Sequence, residues 1–258
     1  MEENHQPRRG VYLLPNLFTT ATLFGGFYAV IAAINGDFTS AAIAIIAAGF
    51  ADSLDGRIAR LTNTQSDFGK EYDSLCDMVA FGLAVGLVMY IWSLHHLGEY
   101  RWLGGKLGWV AAFTYSACTA LRLARFNVSA ALSGGKGDFI GLPSPAAAGL
   151  MVTYIWSAHD LGIEGATLVV PSLVITLCSG VLMVSNIRYN SFKQVKVSER
   201  APFWYMLALI ALLAMVSLDP PKVLFLLGLV YALSGPVAAL RRRGRGGDAD
   251  PPARDMGS

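Results

Sequence analysis

Apolar residues fall along this chain in eight runs, near 14–34, 38–57, 71–93, 107–127, 143–161, 166–187, 202–218 and 222–240, each bounded by charged residues, Gly or Pro. A helix needs about 20 apolar residues to cross a bilayer, so the pattern predicts an all-α, polytopic integral membrane helical bundle of about eight transmembrane helices. Eight crossings put both ends of the chain on one side. Of the 20 Lys and Arg residues, 17 then share that side, and only Arg101, Lys106 and Lys222 face the other. This asymmetry predicts a multi-pass protein of the cell inner (cytoplasmic) membrane with both termini cytoplasmic. Arg8 and Arg9 precede the first run, as they would precede a cleaved signal. The run is too long for one and lacks a small-x-small exit, so a retained span is expected.

Composition narrows the function classes. The chain of 258 residues is 54% apolar and only 15% charged, with a mean hydropathy of +0.48. A soluble domain carries about a quarter charged residues, so disorder, collagen and a soluble nucleic-acid binder are excluded. Cys76, Cys118 and Cys178 all lie in apolar segments without CxxC or Cys/His spacing, which leaves neither a disulfide framework nor a zinc site. Residues 1–240 are expected to form one membrane domain. Residues 241–258, with Arg241, Arg242, Arg243 and Arg245 followed by Gly, Asp and Pro, read as a basic disordered tail lying on anionic lipid. No internal repeat is visible, which argues against an inverted-repeat transporter.

Four carboxylates interrupt the second and third runs. Asp52 and Asp55 are three apart and Asp73 and Asp77 four apart, so on helices each pair shares one face. Phe38 to Ala51 is only 14 residues, and Met78 to Trp92 is no longer by more than one, so neither helix spans a bilayer unless its acidic turn is included. The two acidic turns therefore lie at one depth, near the cytoplasmic surface, on antiparallel helices joined by a short loop. Unit charges about 4 Å apart at an effective dielectric of about 20 repel by roughly 4 kcal/mol per pair. Protonation would relieve this. Oxygen-only ligands on two helices also suit hard cations, and two divalent metal ions (Mg²⁺ or Mn²⁺) would clamp a phosphate or pyrophosphate for in-line displacement. Gly56 and Gly69 lack a Cβ and admit a close neighbour, and Arg60, one turn beyond Asp55, offers a planar fork to a phosphate oxygen. Taken singly, an intramembrane Asp pairs with an Arg and a Gly packs helices; four aspartates, two glycines and an arginine together are not explained that way.

At these residues the chain resembles the CDP-alcohol phosphatidyltransferase family, whose signature D-x2-D-G-x2-A-R-x8-G-x3-D-x3-D is matched by Asp52, Asp55, Gly56, Ala59, Arg60, Gly69, Asp73 and Asp77. The resemblance implies that the four aspartates hold the two metal ions and that Asp77 also takes the proton of the incoming alcohol. It implies that Gly56, Arg60, Ser66 and Gly69 hold the CDP moiety. Pro15-Asn16-Leu-Phe-Thr19 resembles the family's nucleotide-contacting P-N-x-x-T, which makes Asn16 and Thr19 further candidates for binding CDP-diacylglycerol; a capped helix start reads the same residues without a ligand.

Further stretches, Arg122-Leu-Ala-Arg125-Phe126-Asn127, Phe139-Ile-Gly141-Leu142-Pro143-Ser144-Pro145 and Met183-Val-Ser-Asn-Ile-Arg188 among them, resemble the phosphatidylserine-forming, membrane-embedded branch. The implied substrates are CDP-diacylglycerol and L-serine, the products phosphatidylserine and CMP, and the implied assembly a homodimer. Free serine needs a fixed cation for its carboxylate, and Arg122, Arg125 and Asn127 are the candidates for that pocket. The alternative for the two arginines is positive-inside anchoring with snorkelling stems. A glycerol-phosphate or inositol-phosphate acceptor would call for a denser basic pocket. A cation transporter would place acids near the midplane of both halves, whereas none lies between Pro171 and Val184 or between Pro202 and Leu218.

Overall fold

The structure, a computed structural model, describes residues 13–62, 64, 66–99, 106–133, 140–187, 189 and 203–245. Helices α1 (Leu13–Ile34) and α2 (Phe38–Leu61) form an antiparallel hairpin. Its turn is a Schellman arrangement: the Gly36 amide donates to the Ala33 carbonyl (3.0 Å) and the Asp37 amide to that of Ala32 (2.9 Å), with Gly36 at φ 78°. Asp37 then caps α2 by accepting the Ser40 amide (2.9 Å). The third segment runs without a break from Asp67 to Trp92. It comprises α3 (Asp67–Asp77), a π-helical stretch (Met78–Ala84) and α4 (Val85–Trp92), and a 3₁₀ turn (Leu94–Glu99) follows. Then come α5 (Leu107–Ser133), α6 (Ser144–Asp160), α7 (Val169–Val184), α8 (Phe203–Leu218) and α9 (Pro220–Arg245).

All eight predicted segments are helical, and no β-strand forms among the described residues. Among the described residues, four stretches are by themselves long and apolar enough to cross a membrane: Pro15–Ile34, Phe38–Leu61, Asp67–Trp92 and Pro220–Arg241. Both acid-bearing helices are among them, because their polar turns continue the helix, as the short apolar runs required. The chain differs from the pattern mainly at polar ends. The third segment starts at Asp67 because Ser66 caps it, its Oγ accepting the Gly69 amide (3.0 Å). Helix α9 runs on through Arg245, five residues into the predicted tail; residues 246–258, and the basic residues Arg8, Arg9 and Arg188 to Arg200, lie outside the described residues.

Small residues let α1 approach both α2 and the third segment closely. A Cβ on Gly26 would stand 2.6 Å from the Ala80 Cα, and one on Gly25 2.9 Å from the Ala44 carbonyl oxygen. Ala29, Ala33, Ala41, Ala48, Ala80 and Ala84 are buried along the same seams, where backbone proximity replaces hydrophobic drive in lipid. Helix α5 covers the π-helical stretch from the other side. A π turn disturbs the regular ladder of carbonyls, and here Tyr115 Oη donates to the Phe81 carbonyl (2.9 Å) and Ser116 Oγ to that of Gly82 (3.2 Å). Helices α6 and α7 close the core, α9 packs on α6 and α8 on α9.

Candidate active site

Asp52 and Asp55 on α2 meet Asp73 on α3, each offering one carboxylate oxygen, and these oxygens lie within 4.8 Å of one another. Asp77, one turn on, adjoins Asp52; it is buried, and its Oδ1 has no hydrogen-bond partner. The fourth aspartate is thus in the same cluster, while the tightest convergence belongs to the first three. Asp77 is the last residue before the π-helical stretch, so the irregular turn begins immediately below this carboxylate. Local irregularity of this kind recurs at functional sites because it re-aims a side chain without ending the helix.

The donor set fits a hard cation. All the converging atoms are oxygens, they come from two helices, and the adjoining Asp77 Oδ1 is buried and unpartnered. Cationic compensation from the protein is small. Arg122 on α5 is the one Lys or Arg that is buried among the residues described, and its guanidinium lies near Asp77 and Asp52.

Helix α1 supplies a polar edge to this cluster. Thr19, buried, donates to Asp55 Oδ2 (2.8 Å) while its hydroxyl also faces the Pro15 carbonyl (3.2 Å). Thr20 Oγ1 and Tyr72 Oη are 3.0 Å apart, which joins α1 to α3. The nucleotide candidates gather on the same side: a Cβ on Gly69 would stand 3.1 Å from Ser66 Oγ and 3.5 Å from Asn16 Oδ1. Gly56 instead faces open space, with nothing within 4 Å of where its Cβ would be. Arg60, exposed, bonds back to the Gly56 carbonyl through Nε (2.9 Å). That bond fixes the base of the guanidinium along the open face that Gly56 leaves.

The three acceptor candidates separate. Arg122 donates through Nη1 to Ser144 Oγ (2.8 Å) and stays at the acidic cluster. Arg125 is exposed and turns to the end of α7, donating to the Val184 carbonyl (3.2 Å) and Asn186 Oδ1 (2.7 Å). Asn127 donates to Ser74 Oγ (2.9 Å), tying α5 to α3. The bond of Arg122 to Ser144 joins residues 22 apart on different helices, and no spacing rule points to it. Tyr72, Ser74, Asn186 and Tyr231, whose phenol lies near Arg122, join these contacts; Asn186 lies in the family-resembling stretch Met183 to Arg188, and the other three carry no signal beyond their residue type.

Comparison with known proteins agrees with this geometry. The family profile for CDP-alcohol phosphatidyltransferase matches residues 12–178. The chain is 38% identical over 229 residues to the CDP-diacylglycerol–serine O-phosphatidyltransferase of Helicobacter pylori strain 26695, covering 88% of this chain and 92% of that protein. The protein of the same name from Helicobacter pylori strain J99 is 39% identical over 228 residues, with the same two coverages. That from Mycobacterium bovis is 32% identical over 247 residues, covering 92% of this chain and 82% of the relative.

Proposed function

The chain belongs to the CDP-alcohol phosphatidyltransferase family, and we propose that it transfers the phosphatidyl group of CDP-diacylglycerol to L-serine, forming phosphatidylserine and releasing CMP. The observation that carries this reading is the convergence of Asp52, Asp55 and Asp73 within 4.8 Å beside a buried arginine, in a chain whose relatives of that name align over most of its length. Asp52, Asp55, Asp73 and Asp77 would hold two divalent ions, Mg²⁺ or Mn²⁺, which when bound offset the charge of the pyrophosphate.

The chain's own groups divide the remaining work. Gly56 leaves room for the donor on the open side of α2, and Arg60, Ser66, Gly69 and Asn16 line the approach to its CDP portion. Serine comes from water with its carboxylate toward Arg122, the buried cation of the site. Asp77 takes the serine hydroxyl proton on its unpartnered Oδ1. The serine oxygen then forms a bond to the phosphorus that carries diacylglycerol, the bond from that phosphorus to the bridging oxygen breaks, and CMP leaves with the electron pair. None of the signature positions is a His, Cys or Lys that could act as a covalent carrier, which favours a single displacement.

Arg125 is exposed and turned to the end of α7 and Asn127 is tied to Ser74, whereas Arg122 lies by Asp77 and Asp52, so recognition of the serine carboxylate rests on Arg122. One buried cation suits a carboxylate better than the phosphate of a glycerol-phosphate or inositol-phosphate acceptor. The Lys and Arg asymmetry supports an inner-membrane setting with the site at the cytoplasmic surface, and the family resemblance supports a homodimer. Purified protein given CDP-diacylglycerol with labelled L-serine, glycerol 3-phosphate or inositol phosphate in turn, each with and without a chelator, tests the reading. Serine-dependent CMP release abolished by the chelator is expected. CMP release with glycerol 3-phosphate but not with serine would overturn the acceptor assignment.

A further inference from the structure

Two buried groups of opposite charge lie near one another in this site, and each has an atom without a hydrogen-bond partner. Arg122 is 9% exposed, and its Nε has no hydrogen-bond partner; Asp77 is equally buried, and its Oδ1 has none either. An arginine near a buried carboxylate would ordinarily pair with it, because an unpaired buried polar atom forfeits its hydration. Something holds the guanidinium back. Its Nη1 donates to Ser144 Oγ at 2.8 Å, and Ser144 is itself 1% exposed.

The residues around Ser144 keep it in place. It opens α6 directly after Pro143, whose ring restricts the backbone. The preceding Leu142 amide donates to the Leu182 carbonyl (3.0 Å) and the Gly141 amide to that of Ile187 (2.8 Å), which bolts the turn to the end of α7. Gly141 sits at φ 83°, a conformation suited to glycine. Ser144 is therefore held by the start of α6 and by the end of α7.

We infer that Ser144 is a positioning residue for acceptor selection: by holding Nη1 it withholds Arg122 from Asp77 and keeps the Nε edge of the guanidinium open to the acceptor's carboxylate. This rests on the reading of Arg122 as the carboxylate site. Without the Ser144 hydroxyl, Arg122 turns toward Asp77 and its Nε edge is no longer open, so the enzyme loses its preference for an acceptor bearing a carboxylate.

The experiment compares L-serine with L-serinamide, which keeps the hydroxyl and amino groups but carries no carboxylate, in full-length protein with saturating CDP-diacylglycerol. Wild type is expected to prefer serine. Ser144→Ala is expected to raise KM for serine and cut the serine-to-serinamide ratio of kcat/KM by about tenfold, on the scale of one hydrogen bond to a charged group, without moving KM for CDP-diacylglycerol. Ser144→Thr, which restores a hydroxyl, recovers the ratio. Should the alanine variant not fold, Ser144→Cys keeps the volume with a poor acceptor and supplies the same comparison. A wild type that does not discriminate the two acceptors overturns the carboxylate site itself. A wild type that discriminates, with a folded Ser144 variant of unchanged ratio or with equal losses on both acceptors, overturns the role of Ser144 alone.

Discussion

Thr19→Val is the most informative single change, because it separates two roles for one residue. The P-N-x-x-T resemblance makes Thr19 a nucleotide contact, whereas in the fold its hydroxyl donates to Asp55 Oδ2 at 2.8 Å. Valine keeps the branched shape and suits a site that is 3% exposed, so packing is preserved and the lost hydrogen bond is the main effect. A hydrogen bond to a charged acceptor contributes about 1.5–3 kcal/mol. The Thr19 proton also faces the Pro15 carbonyl at 3.2 Å, and this sharing favours the lower half of that range. About 1.5–2 kcal/mol corresponds to roughly a ten- to thirtyfold weakening, in line with what removal of an outer partner of a metal ligand costs. The assay is CMP release against Mn²⁺ or Mg²⁺ concentration at saturating donor and serine. The half-saturating metal concentration should rise by about ten- to thirtyfold, with the rate recovering at high metal and KM for CDP-diacylglycerol little changed. An unchanged metal curve with a raised donor KM would refute the support role and return Thr19 to the nucleotide.

Gly56→Ala places a methyl group in open space, so it should leave thermal unfolding in detergent within about 0.5 kcal/mol of wild type yet raise KM for CDP-diacylglycerol; an unchanged KM would show that the donor does not pass this face. Asp77→Asn should abolish transfer while a non-reactive donor analogue still binds by calorimetry, and normal turnover would dismiss Asp77 as the proton acceptor. Tyr115→Phe removes the donor to the buried Phe81 carbonyl and should lower stability by about 1–3 kcal/mol, read as a lower melting temperature; an unshifted melt would mean that the π turn does not depend on α5.

These perturbations fall on two kinds of feature, and the sequence displays them unequally. The acidic turns are legible because buried charge is expensive: carboxylates three and four residues apart inside an apolar run have few explanations, and the shortness of the apolar stretches beside them requires each helix to continue through its acidic turn. The eight helical segments are legible for the same reason, since each lost apolar residue in a span has a large cost. The Schellman turn at Gly36 and the cap at Ser66 follow local rules within a few residues.

The contacts that arm the site obey no such rule. Arg122 and Arg125 are neighbours on one helix, both near a membrane surface, and the pattern treats them alike; the fold sends one to Ser144 at the acidic cluster and the other to Asn186 beyond α7. Three residues apart, they differ by only about 60° around α5, and what separates them is where the start of α6 and the end of α7 meet that helix, which periodicity along one helix does not encode. Each of these hydrogen bonds contributes on the order of 1 kcal/mol, so many residue types satisfy it and none announces itself. The π-helical stretch after Asp77 is hidden for a related cause: Met78 to Ala84 is apolar throughout, and its altered winding depends on donors from Tyr115 and Ser116, more than 30 residues away. Large local costs therefore expose the chemistry of the centre, while acceptor selection depends on small long-range terms that only the assembled helices reveal.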